Sequence, residues 1–177
     1  MHQMESPIHY VLPFFFTSSF LFLSSPSPMN ASIHLVETVC KKTISNSECL
    51  KVFDSDPRSS SASNYKELAI VALELAIANA KDSQNFMNNL LNSDPRKPIK
   101  LCSYFYGGVV GSFNSAKKEI GEDPLTANYD VKIAGDAAGY CETALSSEGV
   151  EVSKISTRNH VVKLYSSIGY VITDQLA

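Results

Sequence analysis

Four cysteines, Cys40, Cys49, Cys102 and Cys141, carry most of the chemistry this sequence could do. Thiols can bond in pairs, hold zinc, or act as a nucleophile. Zinc fits poorly, because there is no C-x-x-C and neither His34 nor His160 has a partner at ligand spacing. No metal and no cofactor is expected. A nucleophile needs a spare thiol, whereas an even cysteine count in a secreted chain, as argued below, commits all four to disulfides. The carboxylates Asp54 and Asp56, or Glu119 and Glu122, are close in sequence, yet loops and helix ends attract acids without catalysis. Gly107-Gly108-Val109-Val110-Gly111 has the look of a phosphate loop. No strand precedes it, and it lies inside a helical pattern, so its glycines are expected to serve close helix packing. Tyr104, Tyr106, Ser112 and Lys117 around it also exclude a membrane GxxxG face. No catalytic residue emerges, and the chain does not read as an enzyme.

The elements that must position the cysteines are plainer. Ile99, Cys102, Tyr106, Val109, Phe113, Ala116 and Ile120 recur at steps of three and four, as do Ala127, Val131, Ala134, Ala138, Cys141 and Leu145. Each set is the apolar stripe of one helix. Between them, Gly121 is expected to stop the first helix in a left-handed residue, Asp123 to cap the second, and Pro124 to open it. Cys102 and Cys141 are equidistant from the midpoint of this turn, so in an antiparallel hairpin they face each other, roughly 30 Å from it. Cys40 and Cys49 close a short local loop. Of the three pairings open to four cysteines, helix geometry favours Cys40 with Cys49 and Cys102 with Cys141.

Elsewhere, Ile33, Val36 and Val39 mark a short helix after Asn30 and Ser32. The polar stretch 54–64 is a connector. Asn64 and Glu67 suit a reciprocal cap for a long helix with Glu67, Glu74, Lys81, Asn85 and Asn88 facing solvent. On its inner face, Asn79 and Ser83 each need a hydrogen-bond partner or a place at the edge. Ser153 is a plausible cap for the last helix, which carries Val161, Leu164, Tyr165, Ile168, Val171 and Ile172 inward, with Asn159, Lys163, Ser167 and Asp174 outward. No strand alternation or repeat occurs. The expected fold is all-α, an up-down-up-down four-helix bundle with an N-terminal helical hairpin.

The apolar run Val11–Leu23, followed by SSPSP, reads as a secretory signal peptide, although the preceding residues include no Lys or Arg. Residues 1–30 are assigned to this leader, with cleavage between Ser24 and Ala31, and residues 31–177 to one domain. Asn30-Ala31-Ser32 is a candidate N-glycosylation acceptor if it survives cleavage. Net charge is -3 without a basic run, which argues against nucleic acid and, after cleavage, against a membrane surface as partners.

The run LVETVCKKTISNSECLKVFDSDPRSSSASNYKELAIVALELAIANA resembles the N-terminal half of the plant invertase and pectin methylesterase inhibitor family. It has that family's two early cysteines, its Asp-Pro-Arg-Ser connector at Asp56–Ser59, and the alanine-rich helix that follows. Cys102 with Tyr104 and Tyr106, and DAAGYCETAL at 136–145, resemble its third and fourth cysteine regions. Within the family the chain is most similar to the pollen-type invertase inhibitor group. The resemblance implies a disulfide-bonded four-helix bundle without catalysis of its own, secreted to the apoplast or vacuole, with pectin methylesterase or an invertase as partner. Invertase-blocking members carry Pro-Lys-Phe where this chain has Pro124-Leu125-Thr126. Those three residues are the candidate target-binding site, and the missing cation and aromatic anchor place pectin methylesterase ahead of invertase. A rival reading of another class is a secreted helical module holding a small apolar ligand between its helices, which requires an internal cavity.

Overall fold

The computed structural model describes residues 28–177, and within them every regular element is helical. The apolar run at 11–23 lies outside the described residues. Helices α1 (Pro28–Cys40) and α2 (Asn46–Asp54) form a short hairpin, followed by a 3-10 turn at Pro57–Ser61. Four long helices complete the chain: α3 (Tyr65–Ser93), α4 (Lys97–Glu119), α5 (Pro124–Ser147) and α6 (Ser153–Asp174). Each long helix packs on the next, and α6 returns to α3, so the up-down-up-down bundle closes on itself. The all-α expectation holds.

Inward stripes meet along the bundle axis. Leu68, Leu73 and Met87 from α3 join Ile99, Tyr106 and Phe113 from α4, Val131 and Ala138 from α5, and Ile155, Ile168 and Ile172 from α6, all fully buried. Burying each large member stabilises the fold by about 1.5–3 kcal/mol. Helix α5 contributes mostly small residues, and close approach to α6 depends on two glycines. An added Cβ at Gly135 would meet Ser166 Cβ at 2.8 Å, and one at Gly169 would meet Val131 Cγ1 at 2.9 Å. The packing role expected of Gly107, Gly108 and Gly111 falls to these two instead. Gly107, Gly108 and Gly111 are exposed, and an added Cβ at Gly108 or Gly111 has nothing within 4 Å.

The connections follow local chemistry, with small departures from expectation. Asn64 caps α3 by accepting from the Glu67 amide at 2.9 Å, while Glu67 reaches back to the amide of Ser63, one residue before the cap. Gly121 does not adopt the left-handed conformation. Ile120 remains right-handed, and the turn closes through Glu122 and Asp123 amides donating to the Glu119 carbonyl. A Cβ at Gly121 would meet only the end of the exposed Lys66 side chain, with Nζ at 3.2 Å, which can swing aside. Gly149, at φ +62°, is the left-handed residue. There the Val150 amide donates back to the Leu145 carbonyl at 2.9 Å, alongside the Glu148 amide, and closes the end of α5. Val152, not Ser153, occupies the cap position of α6.

The hairpin and connector are fastened to the bundle by polar ties. Helix α1 starts earlier than expected, which puts Ser32 inside it as a buried donor to the Ser60 carbonyl rather than at its cap. Asp56 caps the 3-10 turn by accepting from the Arg58 amide at 2.9 Å. Arg58 also pairs with Asp56 and crosses to Glu74, which in turn receives Lys117 at 2.6 Å. Glu74, expected in the solvent stripe, is therefore a half-buried bridge linking the connector, α3 and α4. On the other side, the Ile44 amide donates to Ser167 Oγ, and His160 meets Glu48 at 2.9 Å.

Candidate docking surface

Both disulfides are present: Cys40–Cys49, with Cα atoms 5.4 Å apart, and Cys102–Cys141, at 4.6 Å. The second sits beside a buried polar chain. Tyr106 Oη donates to Asn159 Oδ1 at 2.9 Å, and Asn159 Nδ2 donates to Glu142 at 2.7 Å; the other Glu142 oxygen accepts from Ser156. Asn159 was expected at the surface but is only 2% exposed. It falls between Ile155 and Val162 on the inner stripe, where the Tyr106 phenol supplies the partner that makes its burial tolerable. Burial pushes the Tyr106 phenol well above its ordinary range, with Glu142 adding to the effect and Arg158 opposing it. Tyr106 and Asn159 stay inside the bundle, while Glu142 and Ser156 reach an open hollow of about 520 Å³ beside the α5–α6 turn.

At the turn, Asp123 accepts from the amide and hydroxyl of Thr126, at 3.1 and 2.7 Å. The hydroxyl first and the amide second hold the Asp123 carboxyl below the usual carboxylate range. Thr126 is thus occupied in fixing the start of α5, with Pro124 in its first turn. Leu125 is left free and 70% exposed. Along the same outward side of α5 come Tyr129, Lys132, Asp136 and Tyr140, at helical spacing. Tyr129 and Tyr140 are 62% and 60% exposed, and Lys132 pairs with Asp136 at 2.5 Å.

At the disulfide end this stripe widens onto α4. The Phe105 ring lies 5.7 Å from that of Tyr140 and, edge-on, 5.7 Å from that of Tyr104, itself 78% exposed. The Cys102–Cys141 bond, within three residues of each of these rings along the chain, ties the two helices together. The result is a firm convex strip with large apolar residues at both ends and an ion pair between them. Aromatic residues held this way lose little freedom on binding, which suits contact with a protein.

The other candidate residues do not converge. His34 lies exposed on α1, and His160 is engaged by Glu48 on the hairpin. Among the described residues no cluster of three His, Cys, Asp or Glu could hold a metal ion. Nor does a described helix have the length and apolarity to cross a membrane. The hollows found are open to the surface and are not lined by the central residues Leu73, Phe113 or Ile168, so they do not supply the interior cavity that a carrier of apolar ligands requires.

A model of the plant invertase/pectin methylesterase inhibitor family matches residues 34–170. The chain belongs to that family. It is similar to a pectinesterase inhibitor of Actinidia deliciosa, 33% identical over 125 residues that cover 68% of this chain and 67% of that protein. In fold it is similar to the crystal structure of mutant form A of a pectin methylesterase inhibitor from Arabidopsis, with a TM-score of 0.72 and 21% identity over 80% of this chain and 97% of that one. A pectin methylesterase inhibitor structure from Arabidopsis thaliana gives a TM-score of 0.61 and 23% identity, covering 81% and 97% of the two chains.

Of the large exposed residues on this strip of the inhibitor-family chain, Leu125 belongs to the Pro124-Leu125-Thr126 candidate, whereas Tyr104, Tyr129 and Tyr140 lie outside it. A signal was present. Tyr129 and Tyr140 fall opposite the inward positions Ala127, Val131, Ala134 and Ala138, where polar residues would be the default.

Proposed function

We propose that this chain is a secreted proteinaceous inhibitor of a plant cell-wall carbohydrate enzyme, with pectin methylesterase preferred over invertase. It acts by covering the target's cleft, without catalysis of its own. The observation that carries this reading is the outward strip of α5, where Leu125, Tyr129 and Tyr140 stand exposed on a disulfide-tied helical hairpin. The name of the Actinidia relative supports pectin methylesterase, and the absence of Lys and Phe after Pro124 removes the cation and aromatic anchor of invertase-blocking members.

Titration of both enzymes with the purified, oxidised protein tests the proposal. Inhibition of pectin methylesterase is expected, with invertase unaffected at the same ratio. Tyr129→Ala should weaken the complex by about 1–2 kcal/mol, roughly tenfold in Kd. Full inhibition by a Leu125→Ala/Tyr129→Ala/Tyr140→Ala triple variant would place docking on another face, and no inhibition of either enzyme would end the reading.

Residues 1–30 are proposed to act as a leader for export to the apoplast or vacuole, leaving a domain over 31–177. Because α1 begins at Pro28, cleavage at the upstream end of the Ser24–Ala31 window is favoured, and it would retain the Asn30-Ala31-Ser32 acceptor. The mass of the secreted protein before and after enzymatic deglycosylation reads both features.

A further inference from the structure

A groove of about 450 Å³ runs between α5 and α6, below the hairpin loop and on the flank of the docking strip. Its volume falls within the range of small-molecule sites, roughly 300–1,000 Å³. The lining combines three kinds of group. Lys132 and Lys163 supply two cations against the single acid Asp136. Lys132 is held by Asp136, whereas Lys163 makes no ion pair among the described residues. Its chain extends over bare backbone, with Cε 3.7 Å from where a Cβ at Gly139 would stand. On a chain of net charge -3, this is a local positive site.

The second kind is a hydroxyl on a largely buried residue. Ser166 is only 8% exposed, lines the groove, and makes no side-chain hydrogen bond among the described residues. It can stand there because position 135 is glycine, since a Cβ would collide with it. The Ser166 Oγ is not one of the enclosed, unpaired side-chain atoms; it faces the open groove, where a ligand oxygen can take the place of water. The third kind is apolar. Tyr170 and Ile44, 44% and 59% exposed, offer hydrophobic surface along the rim.

We infer that this groove is a binding site for a carboxylated sugar, a uronate or a short oligouronide. A uronate carries a carboxylate for Lys163, ring hydroxyls for Ser166 and Asp136, and an apolar C–H face for Tyr170. A simple carboxylate would leave the hydroxyl and the aromatic unused, and a neutral sugar would leave the cation unused. The preference for a uronate over other hydroxylated carboxylates rests on the inhibitor reading, because de-esterified pectin is a polyuronate. The preference for an anion does not.

The test is an NMR titration of the ¹⁵N-labelled full domain with trigalacturonate. Its fully methyl-esterified form, maltotriose and sodium acetate form the comparison arms. Saturable shifts are expected at Lys163, Ser166, Ser167 and Tyr170 with trigalacturonate, and not with the other three. Lys163→Glu, a surface change that preserves the fold, should weaken binding by about tenfold, and Ser166→Ala should weaken it less. Shifts confined to other residues, equal binding of the esterified or neutral sugar, the same shifts with acetate, or undiminished affinity in Lys163→Glu would each overturn the inference. Inhibition of pectin methylesterase, assayed separately, keeps the two readings apart: lost uronate binding with intact inhibition sinks only the groove, and lost inhibition with intact uronate binding sinks only the inhibitor.

Discussion

Asn159 links α4, α5 and α6 with one side chain. It accepts from Tyr106 and donates to Glu142, among buried residues that are mostly apolar. Tyr106→Phe keeps the ring and removes the donor, leaving an enclosed amide oxygen unpaired. The expected loss is about 1–2 kcal/mol in urea unfolding, with the fold retained. Two glutamates respond to acid with opposite sign. Hydrogen bonds from Lys117 and then Arg58 hold Glu74 below the ordinary glutamate value. A depressed carboxylate contributes stability above its unfolded pKa and loses it as pH falls through the folded one. Glu74→Ala should therefore cost about 1 kcal/mol at neutral pH, and the deficit should shrink in acid. Glu119 is the reverse: enclosure first, then Asp130 and Asp123, raise its carboxyl, and its Oε2 has no partner. Its contribution is greatest below the unfolded pKa and is lost as pH rises through the folded one. Glu119→Gln should accordingly raise the unfolding midpoint at neutral pH and leave it nearly unchanged in acid. None of this was legible in the sequence, because a polar residue type says nothing of the distant group that will meet it.

At the scale of elements, the pattern of three and four was legible in α3, α4 and α5, but the start of α6 was misphased: Val162, not Val161, is fully buried, in line with Ile155 and Asn159. Asp123 and Pro124 mark the start of α5, and Cys102 and Cys141 meet across the hairpin axis. What failed was the assignment of glycines. Gly107, Gly108 and Gly111 form a conspicuous run, yet they lie on the outer side of α4. Gly135 and Gly169, isolated within their helices, set the approach of α5 to α6. A glycine in a helix signals either a contact or an empty face, and only the rotation of its neighbours tells which. Gly169→Ala should press on Val131 and cost about 1–3 kcal/mol, visible as a lower denaturant midpoint at unchanged slope. Gly108→Ala, with open space around it and a better helix former in place, should instead stabilise by about 0.5–1 kcal/mol.

Across the whole molecule, two covalent ties divide the work. Cys40–Cys49 spans 9 positions and shapes the hairpin, while Cys102–Cys141 spans 39 and joins α4 to α5. By loop-closure entropy, removing the longer should cost about 4 kcal/mol and the shorter about 3. Calorimetry of Cys102→Ser/Cys141→Ser and Cys40→Ser/Cys49→Ser proteins gives the comparison directly. The bundle and its cysteine pairs could be anticipated because both follow from periodicity and distance along one hairpin. The way the hairpin leans on α6, through Ile44 with Ser167 and Glu48 with His160, could not, since those partners lie more than a hundred positions apart.

The α4–α5 turn exposes Gly121 and Glu122, while the bond that joins its two arms lies at the far end of the helices. A protease that nicks the turn would therefore sever the backbone without releasing a fragment. Such a clipped protein should migrate as one species until a thiol reductant is added, then separate into two. That arrangement lets the molecule outlast a cut at this exposed turn.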